Sequence, residues 1–125
     1  SDMISLHIPG GDGTRHYLGE AEFNLMKPGM ILVNTARGTV IDEKAMVKAL
    51  ESGKIAGAGL DVFEREPEVE PELLKMSNVV LAPHSGTRTL DTRNQMLRNC
   101  AQAIFDAMDG KIPVNCLNPA ALGNR

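Results

Sequence analysis

Short apolar runs alternate with stretches of helical periodicity along most of the chain. Four runs predict strands, over residues 3–8, 31–34, 78–83 and within 55–62. Two stretches predict helices, 18–26 and 42–53, the second with Asp42 as N-cap and Gly53 as its closing residue. Because strands that are separated by helices are joined by crossovers, the pattern predicts an α/β fold with a parallel sheet. The run 31–34 is apolar on both faces, which predicts a strand that is covered on both sides.

The last part of the chain has a different pattern. From about residue 89 to residue 109, apolar side chains recur at intervals of three and four, which predicts one long amphipathic helix. Gly110 ends this helix, and the tail to Arg125 is rich in Pro, Asn and Gly, so we expect it to be irregular. The apolar positions are Leu97, Ala101, Ile104, Phe105 and Met108.

Composition excludes several classes of function. A net charge of −3 argues against a basic face for nucleic acid, and 3% aromatic residues leave few rings to stack on bases. No apolar run approaches the roughly 18 residues of a membrane span, so we expect no membrane partner. Cys100 and Cys116 lack the spacing of a zinc site or a disulfide scaffold, so we expect two reduced thiols and no metal. No signal peptide is visible, which favours a cytoplasmic protein.

Polar side chains follow three of the predicted strands. Arg37 comes shortly after the second strand, and His84 follows the fourth. Asp61 ends the third strand, with Glu66 close behind it. Because ligands bind beyond the carboxyl ends of the strands in open α/β sheets, these side chains are candidates for one reaction centre.

The chemistry of these residue types is complementary. An Arg guanidinium holds a carboxylate through two parallel hydrogen bonds. A His exchanges a proton near neutral pH, and a neighbouring Glu fixes its tautomer. An Asp accepts a hydrogen bond from an amide. Together they suit a substrate that carries both a carboxylate and an alcohol or carbonyl group.

Each candidate also has a structural interpretation. Arg37 fits a surface charge, Asp61 fits a turn residue or N-cap, and His84 fits a structural turn. Glu66 lies in an acidic run, which usually forms a solvated loop. The remaining histidines, His7 and His16, are interpreted as packing or surface residues.

Two glycine pairs resemble part of a dinucleotide fingerprint, and neither completes it. Residues 11–16 have His where the third Gly is required, and residues 57–62 enter a strand where a helix should begin. A dinucleotide bound here therefore needs a pyrophosphate loop supplied by residues outside this chain.

Taken as a set, five segments resemble the D-isomer-specific 2-hydroxyacid dehydrogenases. They occur in collinear order and cover almost the whole chain. The segments are SLHIP with TRH within 5–16, LMKPGMILVNTARG over 25–38, ALESGKIAGAGLDVFEREP over 49–67, NVVLAPH with Gly86-Thr87 from residue 78, and GKIPVN with Asn118 from residue 110.

The resemblance implies a partial doubly wound, Rossmann-like parallel sheet of about four strands with flanking helices and a long C-terminal helix. It implies NAD or NADP as cofactor, and interconversion of D-2-hydroxy acids and 2-keto acids by hydride transfer, as in a glyoxylate/hydroxypyruvate reductase. In that family's terms, Arg37 would hold the substrate carboxylate and carbonyl, and His84 would be the acid/base on the C2 oxygen. Glu66 would orient His84 and stabilise its charged form.

The resemblance also assigns cofactor contacts. Asp61 would bind the nicotinamide carboxamide, with Arg37 and His84 adjoining the cofactor. Thr35, Ala36 and Gly86 would lie near the nicotinamide, and Pro9 and Thr14 would line the nucleotide side.

Family members are much longer than this chain, which bears on domain organisation. Residues 1–88 would be the second half of the NAD(P)-binding domain, and residues 89–125 a return helix and tail of the substrate domain. We therefore expect a fragment that is inactive alone, from an enzyme that is a homodimer at full length. Its first strand, over 3–8, would be an unprotected edge that invites pairing with another chain.

Two alternatives remain open at this stage. A dinucleotide-sensing transcriptional corepressor on the same fold can keep the same constellation of residues. Formate and phosphite dehydrogenases are also relatives, although a Glu–His pair argues against formate dehydrogenase.

Overall fold

The computed structural model describes residues 1–121 and contains the predicted alternation of strands and helices. The four predicted strands and three predicted helices are present, with shifted ends; the first strand, for example, ends two residues early. In the tail that is predicted to be irregular, residues 111–121 contain one 3₁₀ turn, Pro119–Ala121, and no strand, while residues 122–125 lie outside the described residues. The elements are β1 Met3–Leu6, α1 Glu20–Leu25, β2 Met30–Asn34, α2 Glu43–Glu51, β3 Ile55–Leu60, β4 Val79–Leu81 and α3 Leu90–Met108, with short 3₁₀ turns between them.

The four strands form one parallel sheet in the order β1-β2-β3-β4. Each crossover is long enough to return the chain to the same end of the sheet, which parallel pairing requires. The pairing sets Leu6 beside Asn34, and Asn34 beside Leu60. The carboxyl ends of the strands therefore meet at one edge, and the loops that carry the candidate residues begin there.

Helix α2 provides the main cover of the core. The side chain of Asp42 accepts a hydrogen bond from the N–H of Ala45 at 3.0 Å, which confirms the predicted N-cap. Gly53 follows the helix with a φ of +73°, a conformation that glycine adopts without strain. The most deeply buried apolar residues include Leu32, Val40, Ile41, Met46 and Ile55.

One expectation for β2 is wrong. Its residues alternate between buried and half-buried positions, with Met30, Leu32 and Asn34 buried and Ile31 and Val33 only half-buried. The run is apolar on both faces, yet only one face is fully covered among the described residues.

The chain divides into two compact units, Ser1–Gly86 and a second that begins at Thr87. In the second unit, Thr89 caps α3 by accepting from the N–H of Thr92 at 3.3 Å. The predicted apolar positions of this helix are largely exposed, including Leu97 at 69% and Met108 at 78%. No helix within residues 1–121 has both the length and the apolar content needed to cross a membrane.

Candidate active site

The loop after β2 is organised by Asn34, the last residue of that strand. Asn34 is 1% exposed. Its Oδ1 accepts from the N–H of Ala36 at 3.0 Å, and its Nδ2 donates to the carbonyl of Arg37 at 3.0 Å. Both the oxygen and the nitrogen of the buried side-chain amide are thereby hydrogen-bonded within one short loop. The side chains of Thr35 and Arg37 are left exposed at the carboxyl edge of the sheet.

Arg37 borders a groove of about 470 Å³ between the loops after β1 and β2. Its Nη1 donates to the carbonyl of Ala36 at 2.6 Å, and within residues 1–121 the guanidinium forms no salt bridge. A Cβ on Gly10 would lie 2.9 Å from Cγ of Arg37, so the absence of a side chain at residue 10 leaves room for the arginine side chain. The guanidinium is available to an anionic ligand. The groove is lined by His7, Ile8, Pro9, Gly10, Thr35, Ala36 and Arg37.

Thr14 fastens the loop that follows β1. Its hydroxyl donates to the carbonyl of Pro9 at 2.7 Å, and the N–H of Thr14 donates to the carbonyl of Gly11 at 3.1 Å. The structure thus brings Pro9 into the groove beside Arg37. Thr14 is half-buried and holds the loop in shape.

His84 and Glu66 form a hydrogen-bonded pair. Nδ1 of His84 lies 2.8 Å from Oε2 of Glu66, and Oε1 of Glu66 accepts from the N–H of Phe63 at 3.0 Å. The hydrogen bond with His84 is the main cause that lowers the pKa of Glu66, and the Phe63 N–H adds to it. Within residues 1–121, Nε2 of His84 makes no hydrogen bond. A carboxylate on Nδ1 fixes the tautomer and leaves Nε2 for proton exchange.

Asp61 binds the turn after β4. Its Oδ1 accepts from the N–H of Ser85 at 2.7 Å, and its Oδ2 accepts from the N–H of Gly86 at 2.9 Å. The Ser85 N–H is the largest cause that holds the pKa of Asp61 below its ordinary value of 3.8. A Cβ on Gly86 would lie 3.2 Å from Oδ2, so a larger residue would crowd the carboxylate. The Ser85 hydroxyl also donates to Oδ1, at 3.3 Å, so Oδ2 is the carboxylate oxygen that keeps a second lone pair for a ligand.

The groove around Asp61 fits a nicotinamide ring. Its volume is about 320 Å³, and small or aliphatic residues line most of it. A Cβ on Gly59 would meet only Cγ2 of Val33, at 4.0 Å, so the floor is open to a flat ring. The Asp61 carboxylate and the Thr35 hydroxyl lie among its lining residues and are polar groups of the kind that a carboxamide needs as partners. The lining residues are Val33, Thr35, Gly59, Leu60, Asp61, Val80, Ala82, Ser85 and Gly86.

Sequence patterns missed two supports of this site. Asn34 ends an apolar run, and its polar side chain at the end of a predicted strand was the one sequence feature that could have indicated its role. Gly38 is in such close contact with the next loop that a Cβ would lie 1.9 Å from the carbonyl carbon of Phe63. No pattern near Gly38 in the sequence indicates this contact, because Phe63 belongs to another loop.

His16, interpreted from the sequence as a packing or surface residue, has a specific partner in the acidic run. His16 is half-buried, has a φ of +51° and lies with its Nε2 2.7 Å from Oε1 of Glu64. The acidic run therefore does more than form a solvated loop. Among residues 1–121, no group of three or more His, Cys, Asp or Glu side chains is arranged to hold a metal ion.

We expect an Asp61→Asn variant to lower the free energy of unfolding by about 1 kcal/mol, because an amide offers one oxygen to two N–H donors. The folded-state pKa of Asp61 is lowered. Its contribution is therefore present above the unfolded pKa and is lost as the pH falls through the folded one. Urea unfolding between about pH 6 and about pH 3 should show a shallower acid loss in D61N than in the wild type. Parallel curves would contradict this role.

Comparison with known proteins adds an independent finding. A family model described as "D-isomer specific 2-hydroxyacid dehydrogenase, NAD binding domain" matches residues 1–86. A glyoxylate reductase of Thermococcus litoralis is 51% identical over 122 residues, which make up 98% of this chain and 37% of that protein. A glyoxylate/hydroxypyruvate reductase B of an Enterobacter species is 46% identical over 120 residues, 95% of this chain and 37% of that protein.

Solved structures give the same picture. A glyoxylate reductase from Paecilomyes thermophila superposes with a TM-score of 0.86 at 48% identity, over 90% of this chain and 34% of that one. A holo form of Rhodotorula graminis D-mandelate dehydrogenase gives a TM-score of 0.86 at 42% identity, over 91% and 33% of the two chains. The chain therefore spans about a third of the length of the relatives that it matches.

Proposed function

We propose that this chain, which belongs to the D-isomer specific 2-hydroxyacid dehydrogenase family through its NAD-binding domain, supplies the acid/base part of the active site of a longer NAD(P)-dependent oxidoreductase. The proposed reaction interconverts D-2-hydroxy acids and 2-keto acids, with glyoxylate and hydroxypyruvate as the preferred substrate class. The observation that carries the proposal is the pairing of His84 with Glu66 at 2.8 Å, at the sheet edge that also presents the Arg37 guanidinium.

Arg37 would hold the substrate. Its guanidinium is exposed and free of salt bridges within residues 1–121, and a planar fork matches a carboxylate through two hydrogen bonds. The same cation would polarise the neighbouring C2 carbonyl, because charge develops on that oxygen during reduction. Asn34 sets the geometry by fixing the loop that presents Arg37.

His84 would exchange the proton at the C2 oxygen. Its Nδ1 is engaged by Glu66, so Nε2 is the atom that donates a proton during reduction and accepts one during oxidation. Glu66 would stabilise the protonated imidazole and hold the ring in place. Glu66 itself is held by the N–H of Phe63, which keeps the pair together when the proton leaves.

Asp61 and Thr35 would hold the cofactor. A bound nicotinamide cofactor supplies the hydride, while the protein contributes orientation and electrostatics. The Asp61 carboxylate would accept from the carboxamide, and Thr35 and Gly86 would border the ring together with Ala36. Pro9 and Thr14 would shape the nucleotide side.

The domain organisation follows the same proposal. Residues 1–88 would form the second half of the NAD(P)-binding domain, and residues 89–125 would belong to the substrate domain. The isolated chain would lack turnover, because its sequence has no complete pyrophosphate fingerprint. The full-length protein would be a cytoplasmic homodimer that uses NAD or NADP.

An Arg37→Lys variant tests the proposal. We expect the full-length protein to oxidise NADH or NADPH when glyoxylate or hydroxypyruvate is added, and R37K to reduce kcat/KM about 10- to 100-fold, since a point charge replaces a bidentate fork. An Arg98→Lys variant on α3 is the matched control and should behave as wild type. Absence of keto-acid turnover, together with nucleotide-dependent binding to a protein partner, would favour a corepressor instead.

A further inference from the structure

A cluster of charged side chains lies beside the site and centres on Glu64. Oε1 of Glu64 accepts from Nη2 of Arg15 at 2.7 Å and lies 2.7 Å from Nε2 of His16. The Glu64 side chain is only 16% exposed. The loop after β3 is thus joined by its side chain to the loop after β1.

The backbone of Glu64 is held from another direction. Its N–H donates to Oε1 of Glu43 at 2.7 Å, and Glu43, the first residue of α2, is 3% exposed. Burial raises the pKa of Glu43, while the hydrogen bond from Glu64 acts in the opposite direction. Gly38 also restrains this segment, because its backbone packs directly on that of Phe63 and Glu64. Glu64 therefore meets elements that follow both β1 and β2.

The segment that Glu64 anchors also carries Glu66. The N–H of Phe63, the residue directly before Glu64, donates to Oε1 of Glu66, whose other oxygen meets His84. A shift of the backbone at residues 63–64 would move the donor that orients Glu66. The contacts thus form a continuous path from Arg15 and His16 to the imidazole.

The ion pair between Arg15 and Glu64 contributes little to the stability of the fold. The Arg15 side chain is 54% exposed, and ion pairs with an exposed partner contribute little to stability. Other charges also face the cluster: Asp42 lies 3.9 Å from Nδ1 of His16, and Arg65 pairs with Glu70. The main effect of the contacts around Glu64 is to fix the position of this residue, because they restrain both its side chain and its backbone.

We infer that Glu64 is a positioning residue, which links the loop bearing Pro9 and Thr14 to the His84–Glu66 pair by holding residues 63–66 in place. The inference rests on the proposed function, in which that pair exchanges the proton. Glu64 would touch neither substrate nor cofactor. Its effect would pass through Glu66, so it should appear in kcat and leave the KM for the keto acid, which depends on Arg37, unchanged.

The test compares Glu64→Ala, Glu64→Gln and the control Glu68→Gln in the full-length protein. Glu68 belongs to the same acidic run and is exposed. We expect E64A to lower kcat about three- to tenfold at unchanged KM, E64Q to lower it less because its amide oxygen still accepts, and E68Q to match wild type. In an E66Q background, E64A should lower kcat no further. Arg15→Gln, an exposed change, should reproduce a smaller loss if E64A folds poorly.

A spectroscopic readout separates this inference from the proposed function. Proton NMR of the same protein should show the imidazole N–H of His84 that bonds Glu66, and E64A should broaden or shift that resonance while E68Q leaves it alone. An unchanged resonance, an unchanged kcat, or an equal loss of kcat in the E66Q background would overturn the inference. A wild type without keto-acid turnover would refute the proposed function, and the NMR comparison would still decide the role of Glu64.

Discussion

A His84→Asn variant of the full-length protein should lose about 10²- to 10⁴-fold in kcat for keto-acid reduction, the usual contribution of a positioned proton donor. Asparagine suits this position, because His84 has a φ of +50° and Asn tolerates the left-handed region better than most residues. The His84 side chain is half exposed, so the free energy of unfolding should change little. Steady-state kinetics and urea unfolding measure the two quantities separately.

The partner of His84 gives an internal control for this prediction. Glu66→Gln should reduce kcat by a smaller factor, because the imidazole remains while its orienting charge is lost. Adding Glu66→Gln to His84→Asn should cost little further activity, since Glu66 acts through the imidazole. If H84N kept wild-type kcat, or if the two losses multiplied fully, the assignment of the acid/base pair would be wrong.

A Gly38→Ala variant should have the largest effect on stability. The added Cβ would lie 1.9 Å from the carbonyl carbon of Phe63 and 2.4 Å from the nitrogen of Glu64. These are backbone atoms, which cannot rotate away as a flexible side chain would. We expect a loss of about 3 kcal/mol or more in the free energy of unfolding, at the upper end of overpacking costs.

Gly13→Ala is the matched control for Gly38→Ala. A Cβ at Gly13 would meet no atom within 4 Å, and its φ lies outside the left-handed region. This change should be neutral or slightly stabilising, because alanine restricts the unfolded chain. Equal unfolding midpoints for G38A and G13A would contradict the tight contact between the loops after β2 and β3.

Sequence periodicity predicts the frame of the site well. Short apolar runs separated by helical stretches require parallel pairing, and parallel pairing brings the loops after β1 to β4 to one edge. Asp42 and Gly53 mark the ends of α2 through local chemistry alone, so both ends can be predicted from the neighbouring residues in the sequence. The same reasoning places Arg37 and His84 on the same edge of the sheet.

Sequence periodicity and local capping signals do not predict the contacts between loops. Glu64 and Glu66 belong to the same acidic run, and their letters alone favour a solvated loop. The fold instead sends one carboxylate to Arg15 and His16 and the other to His84. Those choices depend on where the turn of residues 61–66 packs, and Gly38 on a different loop determines that packing.

We expect the full-length protein to reduce a 2-keto acid to the D-isomer of the 2-hydroxy acid, as proposed above. Incubation of that protein with hydroxypyruvate and NADH or NADPH, followed by chiral separation of the glycerate formed, tests it most directly. We expect D-glycerate in amounts that match the cofactor oxidised, with its formation reduced at least about 100-fold in H84N. Formation of L-glycerate, or no glycerate with either cofactor, would contradict it.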